Sequence, residues 1–322
     1  MGAQPVMIQR LPSASRQAAQ LPIFILLAAM RWASWVVGAK VAVADLAIAE
    51  VVSGRFLFAA ALLWAMVLLS RQPVRLGQAK RPLLMGMLDP GLVSLLIVWA
   101  LQHTSAVNAS VFWALMPLIM PIAGRLVLKE AINPMVVAGA LLAVTGAVML
   151  VAVNQAAGEG NLFGDLLAVS GVLCAVASSL LARRVAQQQG RAMVTTAWQM
   201  TMALMVGGVA LMVLEQPGET VERVGQGPLL LMLYLGMFAT AGPFFLFNFA
   251  MRHLPVGRIS LFASLVGPLS VPMAALFLGE TIQGLEIAAI AVVMLGVFLP
   301  TLIGPERLAL FRRPIRSRPR GG

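Results

Sequence analysis

The sequence predicts an all-α integral membrane protein, ten transmembrane helices arranged as two inverted five-helix repeats. Three observations carry that expectation. First, 60% of the 322 residues are hydrophobic and only 11% charged, with a mean hydropathy of +0.91. A soluble domain carries about a quarter charged residues. This chain lacks the polar side chains to cover a water-facing surface, so lipid is its solvent. Second, ten apolar runs approach the roughly 20 residues that a helix needs to cross hydrocarbon. Third, one stretch occurs twice: residues 107–130 read VNASVFWALMPLIMPIAGRLVLKE and residues 257–280 read GRISLFASLVGPLSVPMAALFLGE. Each copy holds two prolines four apart, Pro117/Pro121 and Pro268/Pro272, and ends in a glutamate, Glu130 and Glu280. The prolines are offset by 151 (268−117) and the glutamates by 150 (280−130). A period of about half the chain marks a duplicated unit, not a solenoid.

The apolar runs are 22–43, 49–70, 83–101, 105–126, 133–153, 164–183, 193–214, 228–250, 256–278 and 282–303. Charge, proline and glycine separate them at Arg71-Gln72-Pro73, Lys80-Arg81-Pro82, Asn133-Pro134, Gly158-Glu159-Gly160-Asn161 and Glu215-Gln216-Pro217-Gly218. The first run ends in Ala42-Val43-Ala44, which has the look of a signal-peptide cleavage site. It is too long for a signal peptide and Arg31 interrupts it, so an uncleaved first helix is expected. The expected organisation is a cytoplasmic N-terminal segment (1–21), a first repeat (22–153), a second repeat (164–303) and a basic cytoplasmic tail (304–322). From Arg312 to Gly322 the tail holds five arginines and two prolines and is expected to be disordered.

Orientation follows from the basic residues. With the N-terminus inside, the inner segments hold Arg10, Arg16, Arg71, Arg75, Lys80, Arg81, Arg125, Lys129, Arg183, Arg184, Arg191, Arg252, Arg258 and six arginines from Arg307 to Arg320. That is 13 + 6 = 19 of the 23 lysines and arginines. The outer side holds Asp45, Glu50, Glu159, Asp165, Glu215, Glu219, Glu222 and Glu280, with Arg223 its one loop cation. A multi-pass protein of the inner (cytoplasmic) membrane with both termini cytoplasmic is expected. Positive charge scattered over loops, not gathered on one folded face, argues against a nucleic-acid partner. The single cysteine, Cys174, excludes a disulfide framework and a thiolate metal site, and two histidines leave little room for zinc. No cofactor and no metal are expected. Five helices per half is an odd number, so the second half enters the membrane from the opposite side. Transporters built this way hold their substrate near the midplane between the repeats.

With these residues placed, the chain resembles the drug/metabolite transporter superfamily, specifically its EamA-type members, over roughly residues 20–303. The resemblance rests on Trp32-Ala33-Ser34-Trp35 with Gly38 and Lys40, and on Arg55-Phe56. It continues with the small-residue opening of the fourth span, Pro117, the endings Lys129-Glu130 and Gly279-Glu280, and Gly139 and Gly146 in the fifth span. It implies ten helices, cytoplasmic termini and the movement of small metabolites, often amino acids or drugs, usually outward. It leaves the substrate open and implies a structural role for the two glutamates.

Several residues inside the spans are candidates for function. A proline within a helix removes one hydrogen bond and displaces the carbonyl four residues back. The helix kinks are therefore expected at Pro117, Pro121, Pro268 and Pro272, loosening the carbonyls of Trp113 and Pro117 and of Ser264 and Pro268. Irregular backbone at membrane depth survives only where protein or a water-filled cavity covers it. Trp113 and Ser264, one turn before each kink, are thus substrate-binding candidates, together with Trp32 and Ser34 midway along the first span. Trp113 is read either as a cavity wall or as a packed core residue. Asn108 and Asn248, with Gln199, are amides in apolar helices; they bind substrate or bond a neighbouring helix for about 1 kcal/mol. Arg31, Asp89 and Glu286 are intramembrane charges and hence gate or proton-coupling candidates. An Arg31–Asp89 pair would be either a static clasp or a gate. Lys40, Arg55 and Glu286 lie toward the outer face and are candidates for a second cluster there. The rows Gly139/Ala143/Ala147 and Gly171/Ala175/Ser179 are read as close helix packing.

The function expected is secondary-active export of a small metabolite (an amino acid or related compound) or drug by alternating access. Its partners would be the small-molecule substrate, membrane lipid and, as candidate coupling ion, a proton. Within transport, the rival is a sugar-phosphate or nucleotide-sugar exchanger, which would present several cations to its cavity; only Arg31 is well placed. A membrane-embedded enzyme would need convergent His, Asp or Glu residues, and the sequence offers none. A non-transporting scaffold would not need paired kinks or buried charges.

Overall fold

Apolar runs of this length leave the backbone no water to bond, so each must satisfy itself as helix. A computed structural model of the chain describes residues 13–42, 46–101, 103, 115–154, 162–214, 225–279 and 284–302, excluding some side chains such as those of Lys40 and Glu286. Among the described residues there are helices and turns and no strand. The helices are α1 (Ser13–Ala42), α2 (Ile48–Leu69), α3 (Lys80–Gly86), α4 (Val93–Leu101), α5 (Met116–Leu128), α6 (Pro134–Asn154) and α7 (Leu162–Gln189). They continue with α8 (Ala192–Leu214), α9 (Gln226–Gly236), α10 (Gly242–His253), α11 (Val256–Ala263), α12 (Val266–Leu278) and α13 (Gly284–Leu302). Wide π turns join α3 to α4 (Met87–Leu92) and α9 to α10 (Met237–Ala241).

Local chemistry sets several of the ends. Pro134 opens α6, and the Met135 N–H donates to Asn133 Oδ1 at 2.9 Å, an N-cap that occupies one otherwise orphaned donor. The Glu50 carboxylate reaches back to accept the Ala47 N–H at 2.8 Å at the start of α2. Both α5 and α12 close on a residue in the left-handed region, Lys129 (φ 57°) and Gly279 (φ 71°), again 150 apart (279−129).

Five described segments are long and apolar enough to cross a membrane: Ala49–Leu69, Leu162–Gln189, Ala192–Leu214, Gln226–His253 and Val256–Phe277. Shorter apolar helices cover Ile23–Ala39, Met116–Leu128, Pro134–Met149 and Ile287–Pro300. Leu69, Leu126 and Leu276 point large apolar side chains outward, as lipid-facing helices require. The third expected span, 83–101, is not the continuous helix the hydropathy suggests. Asp89 is extended (φ −142°, ψ 119°) and the chain breaks at Pro90, because proline lacks an N–H and drives its predecessor out of the helical region. The ninth span breaks as well, at the turn Ser264–Leu265 between α11 and α12.

The most extensive helix pairings are α6 with α13 and α2 with α8. In the first pair the backbones nearly touch. Side-chain carbon on Gly296 would lie 2.5 Å from the Gly139 carbonyl oxygen, and on Gly139 would collide with the Gly296 carbonyl. Carbon on Gly146 would lie 2.8 Å from the Ala289 carbonyl. Ala289 and Gly296 stand 150 residues after Gly139 and Gly146 (289−139, 296−146), so the two contacts are counterparts of one another. The small-residue row of α6 is indeed a packing seam.

Candidate functional site

The broken third span has carbonyls that no helix can satisfy, and buried carbonyls must find donors. The Asp89 carbonyl accepts the Gln199 Nε2 at 2.8 Å. The Pro90 carbonyl accepts the Ser94 hydroxyl at 2.5 Å, and Ser94 Oγ in turn accepts an Arg55 terminal N–H at 2.6 Å. Gln199 is itself held: its Oε1 accepts Asn248 Nδ2 at 2.7 Å, and the same amide donates to Thr196 Oγ1 at 2.9 Å. Asn248 therefore bonds a neighbouring helix, one of the two roles open to it from the sequence.

Arg55 and Gln199 occupy equivalent places, each seven residues past the start of its helix (55−48 and 199−192). Each also meets a glycine that opens a π turn in the other half of the chain. Carbon on Gly86 would collide with the Gln199 carbonyl, and on Gly236 would lie 2.6 Å from the Arg55 carbonyl. Gly86 and Gly236 are 150 apart.

Arg55 is only 5% exposed. Its guanidinium carbon stands 4.4 Å from the centroids of both the Trp35 and Phe56 rings, contacts in which the ring faces partly offset a buried positive charge. Asp89 interacts with it electrostatically. Arg31, the partner expected for Asp89, lies elsewhere: its guanidinium is 5.7 Å from the Phe238 ring and packs on Gly242. The break at Pro90 leaves Asp89 close enough to Arg55 of α2 for the two charges to interact. Beside Arg31, Tyr234 donates to Ser34 Oγ at 2.9 Å while Ser34 donates to the Arg31 carbonyl at 2.8 Å. Tyr234 and Phe238 stack 6.0 Å apart and are 41% and 53% exposed, which leaves an accessible aromatic face beside a cation.

The remaining candidates are distributed as follows. Trp32 packs edge-on to Phe244 and Phe247 at 5.3 and 5.5 Å. Ser264 sits at the α11–α12 turn with its hydroxyl on the Leu261 carbonyl at 2.6 Å. Pro117 and Pro268 lie in the first turns of α5 and α12, and Pro121 and Pro272 lie inside those helices. Trp113, Asn108 and the Glu286 side chain lie outside the described residues, as do Glu280 and the basic tail.

At one end of the bundle a second network joins four elements. Glu130 Oε1 accepts Arg183 Nε at 2.7 Å, and its Oε2 accepts the Val256 N–H at the start of α11 at 3.1 Å. Arg183 also donates to the Met251 carbonyl. Nearby, Arg184 donates to the Val127 carbonyl and Arg191 to that of Pro73, both at 2.8 Å. Three of the basic residues assigned to one side from sequence, Arg183, Arg184 and Arg191, thus bond to the segments of Glu130, Val127 and Pro73. Sequence reasoning overlooked Ser94, Thr196 and Tyr234. The repeated Gly86-Met87 and Gly236-Met237, with Pro90 between basic and apolar stretches, were the signals available.

Residues 21–152 and 162–302 each match the EamA-like transporter family. The chain belongs to that family. As an EamA-like protein with apolar helices of spanning length, it is a multi-pass membrane protein. It is similar to two Bacillus subtilis (strain 168) proteins described as uncharacterized transporters. YetK is 23% identical over 66% of this chain and 64% of its own length, and YyaM 24% identical over 61% and 65%. The match thus spans just under two thirds of either relative. A crystal structure described only as that of a protein superposes with a TM-score of 0.76 at 19% identity, covering 90% of this chain and 99% of its own. That likeness concerns the fold. Each EamA-like stretch contains one copy of the proline–glutamate segment, and Arg55 and Gln199 fall one in each.

Proposed function

We propose that the protein is a secondary-active transporter of the inner membrane, exporting a small metabolite, such as an amino acid or related compound, or a drug, by alternating access. Two inverted five-helix repeats would rock about a site near the break in the third span and the π turn in the eighth, with both termini cytoplasmic. One observation carries this reading: counterpart residues meet across the halves. Gly86 meets Gln199 while Gly236 meets Arg55, and Gly139 meets Gly296 while Gly146 meets Ala289. A pseudo-two-fold relation of this kind lets two arrangements of nearly equal energy exist, one open to each side, which alternating access requires. The family membership and the relatives named as transporters support the same reading.

In it, Arg31, Ser34, Tyr234 and Phe238 form the accessible wall, and Trp113, Ser264, Trp32, Asn108 and Asn248 remain substrate-binding candidates. Arg31, Asp89 and Glu286 remain gate or proton-coupling candidates. The test is counterflow by the purified chain in proteoliposomes against a panel of amino acids, nucleosides and cationic drugs. Flux of at least one class above protein-free vesicles is expected; a panel with no flux at all, with and without a proton gradient, sinks the proposal.

A further inference from the structure

Among the described residues, two buried hydrogen-bond donors belong to one stacked pair of side chains and have no acceptor. Arg55 Nε and Trp35 Nε1 are both dry and unpartnered, while the Arg55 guanidinium stacks on the Trp35 ring. A buried polar group without a partner is costly, and a guanidinium more so than an amide. Among the described residues, one terminal N–H of Arg55 donates to the Ser94 hydroxyl at 2.6 Å while its Nε has no partner. Asp89 balances its charge through space, yet among the described residues there is no salt bridge between them. Thr240 adds a third unpartnered buried group, one turn beyond Gly236, the residue packed on the Arg55 carbonyl.

From these donors we infer that Arg55 and Trp35 form a subsite for the carboxylate of the transported solute. A carboxylate matches the planar guanidinium fork with two parallel bonds, using Nε and a terminal N–H, and its second lone pairs reach the indole N–H. The same balance of charge argues against a phosphate. Arg55 is one cation with Asp89 beside it, so the pair is already neutral; it suits a carboxylate that brings its own cation and would repel a dianion. Asp89 then favours a solute whose carboxylate is accompanied by an amine. The subsite is closed in this structure, so the π turn Met237–Ala241, packed against α2, would move to admit the solute. This inference rests on the transport reading above and narrows it to carboxylate-bearing solutes.

The test uses the full-length chain in proteoliposomes with the twenty proteinogenic amino acids, their carboxamides and their decarboxylated amines as competing solutes. At least one acid is expected to be carried, with its carboxamide and amine at least tenfold weaker competitors, the ratio that one charge-assisted hydrogen bond supports. Arg55→Lys, which keeps the charge and loses the fork, is expected to weaken the acid about tenfold or more while leaving the amine unchanged. Trp35→Phe keeps the ring, removes the N–H and should weaken the acid several-fold. Asp89→Asn removes the amine's partner, so it should weaken the amino acid and tighten a carboxylic acid that lacks the amine, a reversal no purely structural role predicts. Thermal unfolding in detergent confirms that each variant is folded. Carriage of an amine or carboxamide as well as its acid, or an unchanged preference in Arg55→Lys, overturns the carboxylate subsite and leaves transport standing. Absence of flux for every compound here overturns the subsite, and absence of flux for the nucleosides and cationic drugs as well overturns both.

Discussion

Arg55 and Gln199 perform one structural task with different chemistry. Both stand at the same depth of their helices, both meet a glycine of the opposite half through the main-chain carbonyl, and both donate toward the break in the third span. With a guanidinium at one position and a neutral amide at the other, the two contacts are alike in backbone and unlike in charge. Two predictions belong at this scale. Gly86→Ala places carbon against the backbone oxygen of Gln199, which cannot rotate away, so overpacking costs about 1–3 kcal/mol. Gly208→Ala, where the space is open, should change little. Thermal unfolding in detergent compares them, and equal effects would remove the close-approach argument. Asn248→Ala strips the amide from both Gln199 and Thr196 and should cost about 1 kcal/mol, read in the same assay. Little of this was legible beforehand, since hydropathy treats Asn248 and Gln199 as isolated polar residues and contains no signal that they meet.

Three of the elements expected as single spans are interrupted, and each interruption has its own cause. The third breaks at Pro90, the ninth at Ser264–Leu265 one turn before Pro268, and the eighth widens at Met237–Ala241 without any proline inside the turn. Proline makes two of these readable in the sequence. The eighth-span turn is set by packing on α2, where Gly236 seats on the Arg55 carbonyl, and only the folded chain shows it. Glu130 changes meaning at this scale too. It closes α5 and then caps α11 while holding Arg183, with its negative charge at the positive end of a helix. Glu130→Ala removes a charge-assisted cap and an ion pair with modest exposure, and should destabilise by about 2 kcal/mol. Arg183→Ala added to it should cost less than the two single changes summed, as contacting pairs do. A full sum in the double-mutant cycle would show that the two side chains act independently.

For the whole molecule, the proposed orientation can be checked directly. In a Cys174→Ser background, cysteine at Gln187 (end of α7) should be shielded from a membrane-impermeant thiol reagent in intact cells. Cysteine at Gly227 (start of α9) should react. The reverse pattern inverts the orientation, and reaction of both removes the odd-numbered repeat. The sequence by itself determined the solvent, the helical class and the duplication. All three depend on composition and spacing, which survive without a fold. Only the tertiary structure decided which polar groups meet. Arg55, not Arg31, stands by Asp89, because a side chain's partner is set by where a helix breaks and how closely two backbones approach. Hydropathy along one chain contains neither quantity.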